Sequence, residues 1–508
     1  MTGYSAETIL VGGVIPAAPE ADSVAITGGQ IVALGREEDL ERLSAASTRR
    51  VDLAGRTLLP GFIDSHTHLL ETGLKETAWE LDLDGLSRSE VLERLAAETR
   101  ARGKGEWVIA RGWDESRWEE HRYLGRRELD AVAPENPVVA VRIDGHLLAA
   151  NSLALERLPQ KTDRGKVDEA SGLLWEEAAS SLLRTIGPDD EALLQALRAA
   201  ANLAHRLGVT SVHTTLRPER VPIYLRGREC VKLRIALCPE ASSLEALAAL
   251  GIESGFGDDW LRLGGVKVFT DGSIGARNAA LSTPYEDSPG VGTLNYADEA
   301  LVALVRSAEQ AHLQTVIHAI GDRAIDQVLR AHQAAGSSTE LRHRVEHFEL
   351  ATDEQIDRTK KLGLQISMQP NFAGNWSGEG RLYEERLGRE RDRRTDPHRR
   401  VLDRGLRLAF GSDGMPFSPL YGLHWAVNAP HPGQRVTVEE GIACYTEAGA
   451  YLSFEEKGKG RIGPGMLADL VVLDKDPRRH PDRIVDLQVV MTFVAGKLVF
   501  RREEGSRA

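Results

Sequence analysis

Cysteine is scarce in this 508-residue chain: Cys230, Cys238 and Cys444 are all there are, with no Cys-x-x-Cys spacing. Neither a disulfide framework nor a structural zinc ribbon is expected, and a reducing cytoplasm is the expected compartment. Long apolar runs are missing too, since no stretch approaches the ~20 residues of a membrane span. The opening MTGYSAETILVGGVIPAAPEA has neither the basic start nor the long apolar segment of a signal peptide. There is no basic excess: 63 Lys and Arg stand against 76 Asp and Glu, a net charge of −13. That balance argues against nucleic acid and anionic membranes, which need a basic face, and favours a small neutral or cationic ligand. Repeats and low-complexity tracts are absent, and the charge run RLGRERDRRTDPHRR (386–400) is expected to be a solvated helix or loop.

What is present is enough apolar material, 42% of residues, for a large core and more than one domain. The first 60 residues read as short strands punctuated by Gly, and the last 45 look alike (LADLVVLDKDP, QVVMTFVAGKLVFRRE). Neither end can close a core alone, so residues 1–59 and 456–508 are expected to form one small composite β-sandwich. Between them, residues 60–455 alternate short apolar strands with amphipathic helices, the pattern of parallel β/α units. Eight strands follow in order: FIDSH, VTSVHTT (209–215), LRIALCP (233–239), LGGVKVF (263–269), TVIHAI (315–320), HRVEHF (343–348), LQISMQP (364–370) and LRLAFGSD (406–413). Eight units predict an α/β fold of the (β/α)8 TIM-barrel type, with its site at the C-terminal strand ends. The stretch from about 70 to 205 is too long for a loop and carries its own strands and helices, so it is expected to be an inserted α/β subdomain.

The first of these strands ends in Asp64-Ser65-His66-Thr67-His68, and residues i and i+2 share a strand face, so both imidazoles point one way. Two neutral imidazoles begin a zinc-type site. His-x-His alone is weak, because such a pair is often structural; its place after LLPGFI strengthens it. Lys267 falls at the end of the fourth strand, His318 of the fifth, His347 of the sixth and Asp413 of the eighth. Any one of them reads as an ordinary hydrogen-bonded barrel residue. Together they converge on one mouth.

A series of stretches in fixed order resembles the amidohydrolase superfamily, in particular the branch that includes N-substituted formamide deformylase. They are LLPGFIDSHTHL (58–69), RGWDESRW (111–118), AVRIDGHLLAANSLAL (140–155), VKVFTDGSIGARNAAL (266–281), VIHAIGDRAID (316–326), HRVEHFEL (343–350), SMQP (367–370), AFGSDGMP (409–416) and IGPGMLADLVVLDKDP (462–477). The resemblance covers nearly the whole chain and implies a distorted barrel plus a composite β-sandwich. It also implies that His66, His68 and Asp413 hold one divalent metal, zinc foremost, and that His318 and His347 hold a second. Lys267 takes the bridging position, where a carbamate derived from CO2 presents two oxygens. A bare ammonium has no lone pair for a metal, so an unmodified Lys267 would mean a mononuclear site.

The mechanism implied is cleavage of a carbon–nitrogen bond of a small molecule (a non-peptide amide, N-acyl or N-formyl group) by metal-activated hydroxide. A metal lowers the pKa of the water it binds to roughly 7. Asp413 then serves as general base and returns the proton to the departing amine, with the second metal or His146 as oxyanion partner. On the insertion, Trp113, Asp114, Asp144, His146 and Asn151 are candidates for a lid, although caps and loop amides account for such residues equally well. Asp271, Ser273 and Arg277 after Lys267, Asp322 and Arg323 after His318, and Gln369 and Asn371 after the seventh strand are further candidate substrate contacts, although internal ion pairs account for the charged ones more readily, and His343 is either structural or a support behind the metal ligands. Rival readings are a mononuclear ring deaminase, a metal-dependent esterase or lactonase, and a non-catalytic binding protein of the same fold. Manganese, cobalt, nickel or iron suits such donors as well as zinc. The expected partner is a small-molecule substrate, with a homodimer possible from superfamily habit.

Overall fold

The structure, a computed structural model, describes residues 5–163 and 166–503. All eight expected barrel strands are present: β1 (Phe62–Thr67), β2 (Val209–Leu216), β3 (Arg234–Pro239), β4 (Val266–Phe269), β5 (Thr315–Ala319), β6 (Arg344–His347), β7 (Gln365–Met368) and β8 (Leu408–Phe410). β1, β2 and β3 are buried along their whole length, as strands of a parallel sheet covered on both faces must be. The strands pair in parallel in two runs, β1-β2-β3 extended by a short strand at Leu261–Leu263, and β4-β5-β6-β7-β8. Among the described residues no continuous ladder joins the runs, so the arrangement is TIM-barrel-like without being hydrogen-bonded all the way round. At one seam Glu240 bridges Lys267 and the Gly264 N–H donates to the Leu237 carbonyl at 2.7 Å. At the other, the Asp413 N–H donates to the His66 carbonyl at 2.8 Å, and the Asp64 carboxylate accepts from the Ser412 N–H at 3.0 Å. A Cβ on Gly411 would stand 2.4 Å from the His66 nitrogen, so only glycine lets β8 come this close to β1.

Helices follow the strands because their apolar residues recur at helical spacing and their ends are capped. The helix Asp353–Leu362 starts at a Thr352/Gln355 capping box and stops at left-handed Gly363. The helix Asp190–Arg206, which the sequence reading placed inside the insertion, buries Leu193, Leu197, Ala200 and Ala204 in the same apolar cluster as β1, β2 and β5, and so serves the barrel. The inserted sheet runs Val167–Asp168, Leu173–Trp175, Leu147–Ala150, Val138–Arg142, Val108–Trp113, Leu81–Asp82. The two chain ends form two four-stranded sheets whose facing residues, among them Leu10, Val24, Leu58, Leu470 and Phe493, share one core. Thr57–Pro60 crosses over, pairing antiparallel with Leu470–Leu473.

The charge run 386–400 is not a solvated face. Arg386, Asp392, Asp396 and His398 are buried. Arg386 donates to Glu115 at 3.0 Å and to Asp287 at 2.6 Å, so its cation ties the insertion to the barrel loops. Buried charge of this kind persists because it is paired. No helix among the described residues is long and apolar enough to cross a membrane.

Candidate metal centre

His66 stands at the C-terminal end of β1, 1% exposed, with its two ring nitrogens in different surroundings. Nδ1 donates to the buried Glu346 carboxylate, which fixes the tautomer and leaves Nε2 with a free lone pair. That Nε2 lies 3.4 Å from Lys267 Nζ and 3.5 Å from Asp413 Oδ1. Glu346 also pairs with Arg344 Nε at 2.9 Å, and Arg344 donates to His213 Nδ1 at 2.9 Å. Burial, with the Lys267 cation nearby, pulls the His66 pKa down to about 4, so this imidazole is neutral at ordinary pH.

His347 comes inward by a different route. As the residue after Glu346 on one strand it should face away, but its φ of +68 ends the extended conformation there and swings the ring toward His66, 4.9 Å between centroids. Its Nδ1 is buried and meets no hydrogen-bond partner, and burial together with His318 holds its pKa well below the usual imidazole value. Asp413 likewise has φ +53. Burial would raise its pKa, but His66, His68 and Lys267 outweigh that and keep it well below the usual carboxylate range. One donor atom each from His66, His347 and Asp413 lies within 4.8 Å of the others. Two neutral imidazoles, one of them with an orphaned buried nitrogen, and one ionised carboxylate suit a divalent cation of the zinc type.

This trio cuts across the pairing implied by the sequence, which grouped His66 and His68 with Asp413 and set His347 apart with His318. His68 is adjacent but turned, its Nε2 at 3.1 Å from Asp413 Oδ1 and its Nδ1 at 3.1 Å from Thr215 Oγ1. His318 packs on His347, 4.4 Å between centroids, while its Nε2 donates to the Gly272 carbonyl at 3.1 Å. Lys267 is 1% exposed, and burial pulls its pKa down to about 8.

A cleft of about 850 Å³ opens over Asp413 and His68 between barrel and insertion. His146 lines it, its Nδ1 held 3.1 Å from Glu176 and its ring 5.1 Å from that of His318. Burial would lower the His146 pKa, but Glu176, Asp144 and Asp413 together raise it to about 9. Asp144 also lines the cleft and accepts from the Ser273 hydroxyl, which faces a smaller adjoining cavity.

The other candidates lie away from the cleft. Trp113 is fully buried in the insertion core, stacked on Trp118 and donating to the Ala140 carbonyl at 2.9 Å; its indole faces the sheet and not the cleft. Asp271 accepts the backbone N–H groups of Ala280, Ile320 and Gly321 and stands 3.4 Å from His318 Nε2, so it orients that ring from behind. Arg323 donates to the Gly292 carbonyl at 3.2 Å, and Gln369, at the start of the helix Pro370–Trp376, is buried with neither its amide oxygen nor its amide nitrogen hydrogen-bonded; neither residue lines the cleft. Asn151 caps the helix Ser152–Leu155, Asp322 holds Ser282, Arg277 pairs with Asp287, Asp114 accepts from Arg142, and Asn371 donates to the carbonyls of Ser412 and Met415. His343 is structural, accepting from the Thr315 N–H at 3.0 Å. The sequence reading missed Glu346, Arg344 and Glu176. The first two lie in HRVEHF at positions i and i+2, and this spacing on a barrel strand was the available signal.

A sequence model of the Amidohydrolase family matches residues 49–500. The putative amidohydrolase YtcJ of Bacillus subtilis is 29% identical, over 95% of this chain and 96% of its own length. The N-substituted formamide deformylase of Arthrobacter pascens is 28% identical over 95% of each chain. Among solved structures, an uncharacterized metal-dependent hydrolase from Pyrococcus furiosus superposes with a TM-score of 0.74 at 28% identity, over 93% of this chain and 99% of that one. With its matched span running from the strand Arg49–Asp52 through the barrel to the last strands, and with the histidines and the aspartate gathered at the barrel mouth, the chain belongs to the amidohydrolase family.

Proposed function

We propose that the protein is a metal-dependent hydrolase of small non-peptide amides, cleaving the carbon–nitrogen bond of an N-acyl or N-formyl compound. The observation that carries this reading is the buried trio His66, His347 and Asp413 beside a cleft large enough for a small molecule. A divalent cation, with zinc the first choice, would be held by these three, and when bound it supplies Lewis-acid polarisation of the carbonyl and makes water acidic enough to react near neutral pH. Asp413, whose pKa is held well below the usual carboxylate range, takes the proton of the attacking water on a carboxylate oxygen and delivers it to the leaving nitrogen. A carbon–oxygen bond forms, the carbon–nitrogen bond breaks, and the products are a carboxylic acid and an amine. His146, oriented by Glu176, faces the same mouth and offers a donor to the developing oxyanion.

Lys267 extends the proposal. A buried amine with a pKa of about 8 is partly unprotonated near neutrality, and such an amine can add to CO2 with loss of a proton, giving a carbamate with two donor oxygens for a second ion. A mononuclear centre, as in the ring-deaminase reading, is favoured by the tight grouping of only three donors and by the engaged Nε2 of His318. Metal content per chain, on protein purified without chelator, separates the two when Lys267→Ala is measured beside the wild type. About two equivalents falling in the variant supports the bridged pair, and about one equivalent kept by both supports the single ion. No bound metal, with no activity on adding zinc or manganese, would sink the hydrolase reading.

A further inference from the structure

Arg220 differs from the other arginines on the wall of the cleft over Asp413. Arg111 there pairs with Glu80 at 2.6 Å, whereas among the described residues the half-buried Arg220 guanidinium makes neither a hydrogen bond nor an ion pair. It ends the 3₁₀ turn Pro218–Arg220 that follows β2, and its Nη2 lies over Gly187 of the insertion, where a Cβ would come within 2.9 Å. Arg217 lines the same cleft, and its Nε reaches the exposed Glu219 at 3.5 Å. Burial and the Arg217 charge lower the Arg220 pKa, and Glu71, Glu219 and Asp190 do not offset them. Burial would lower the Arg111 pKa as well, but Glu80 outweighs it and raises it. A partly desolvated guanidinium next to a like charge favours a bound anion.

The carboxylates of the cleft do not cancel this preference. Glu80, Asp82, Asp144 and Glu177 each hold a cation already, and burial raises the pKa of Glu240 against the opposing charge of Arg217. The two arginines are also close to the reacting centre. Thr215, whose Oγ1 is 3.1 Å from His68 Nδ1, precedes Arg217 by two residues, about 7 Å of strand, and His68 in turn reaches Asp413. One small molecule in the cleft can therefore span the guanidinium groups and Asp413. We infer that Arg220, with Arg217 beside it, binds a carboxylate carried by the substrate at the end remote from the scissile bond, so that the preferred substrates are amides of acidic small molecules. This rests on the amidohydrolase reading above and adds to it the charge of the substrate. It also reverses the expectation of a neutral or cationic ligand drawn from the net charge of −13, because ion pairing cancels much of that charge at the cleft wall.

The test compares N-acetyl-phenylalanine, in both enantiomers, with N-acetyl-2-phenylethylamine, which differs from it only by the carboxylate. Both are given to the full chain supplemented with zinc, with released amine as the readout. For at least one enantiomer kcat/KM should favour the acid by about tenfold or more, the order expected of a hydrogen bond between charged groups. Arg220→Gln should bring that ratio close to one, and Arg220→Lys, which keeps the charge without the planar fork, should retain part of it. A wild-type ratio at or below one would overturn the anchor and leave the amidase reading standing, and a preference that survives Arg220→Gln unchanged would overturn the assignment to Arg220. If neither compound is cleaved, calorimetric binding of the same pair decides. Tighter binding of the acid, lost in Arg220→Gln, upholds the anchor while the amidase reading falls; equal binding, or none, overturns both.

Discussion

At His66 the Glu346 carboxylate occupies Nδ1, and Arg344 holds that carboxylate in turn. Partners behind a ligating imidazole typically change metal affinity by 10–100-fold. Glu346→Gln keeps the shape and removes the charge, so zinc affinity, read by competition with a chelator, should drop by about that factor; unchanged affinity would refute the role. His347→Ala removes the ring with the orphaned nitrogen and should abolish stoichiometric binding, whereas Trp113→Phe, deep in the insertion core, should leave metal content unchanged. The donors were legible in the sequence because His and Asp at strand ends stand out. Their grouping was not, because it depends on φ of +68 at His347 and +53 at Asp413, and strand periodicity says nothing about a residue that leaves the strand.

The eight strands and the alternation of elements could be read from apolar runs, whereas the contacts between elements could not. The 386–400 run looked solvated because charge predominates there, yet Arg386 finds its carboxylate at Glu115, far away in the sequence. Glu115 also takes Arg142 Nε at 2.8 Å. Glu115→Ala would take one carboxylate from two buried guanidinium groups, leaving Arg386 with Asp287 and Arg142 with Asp114 and Asp144, and should cost about 1–3 kcal/mol. Urea unfolding should show this as a lower midpoint, and a loss under about 1 kcal/mol would mean the network is dispensable. At the β1–β8 seam, Gly411→Ala places a methyl against the His66 backbone and should reduce metal content together with stability.

For the whole molecule, buried titratable groups set the pH range of stability. Burial lowers the pKa of His66 and of His398 to about 4 from 6.5. Between those values the unfolded chain binds protons that the folded one refuses, so metal-free protein should lose stability as pH falls from 6.5 to 4. Burial, with Glu349 and Asp392 adding repulsion, raises the Asp396 pKa, and here the sign reverses: stability falls as pH rises above 3.8 toward the folded value. Asp396→Asn should thus raise Tm more at pH 8 than at pH 5, and an equal shift at both would count against it. One arrangement bears on how the molecule is made. Thr57–Pro60 pairs with Leu470–Leu473, more than 400 residues later, and β1 with its histidines begins two residues beyond Pro60. During synthesis that strand keeps an open edge until Leu470–Leu473 has been made, so the segment leading into β1 and its histidines gains this partner only after every barrel strand has left the ribosome.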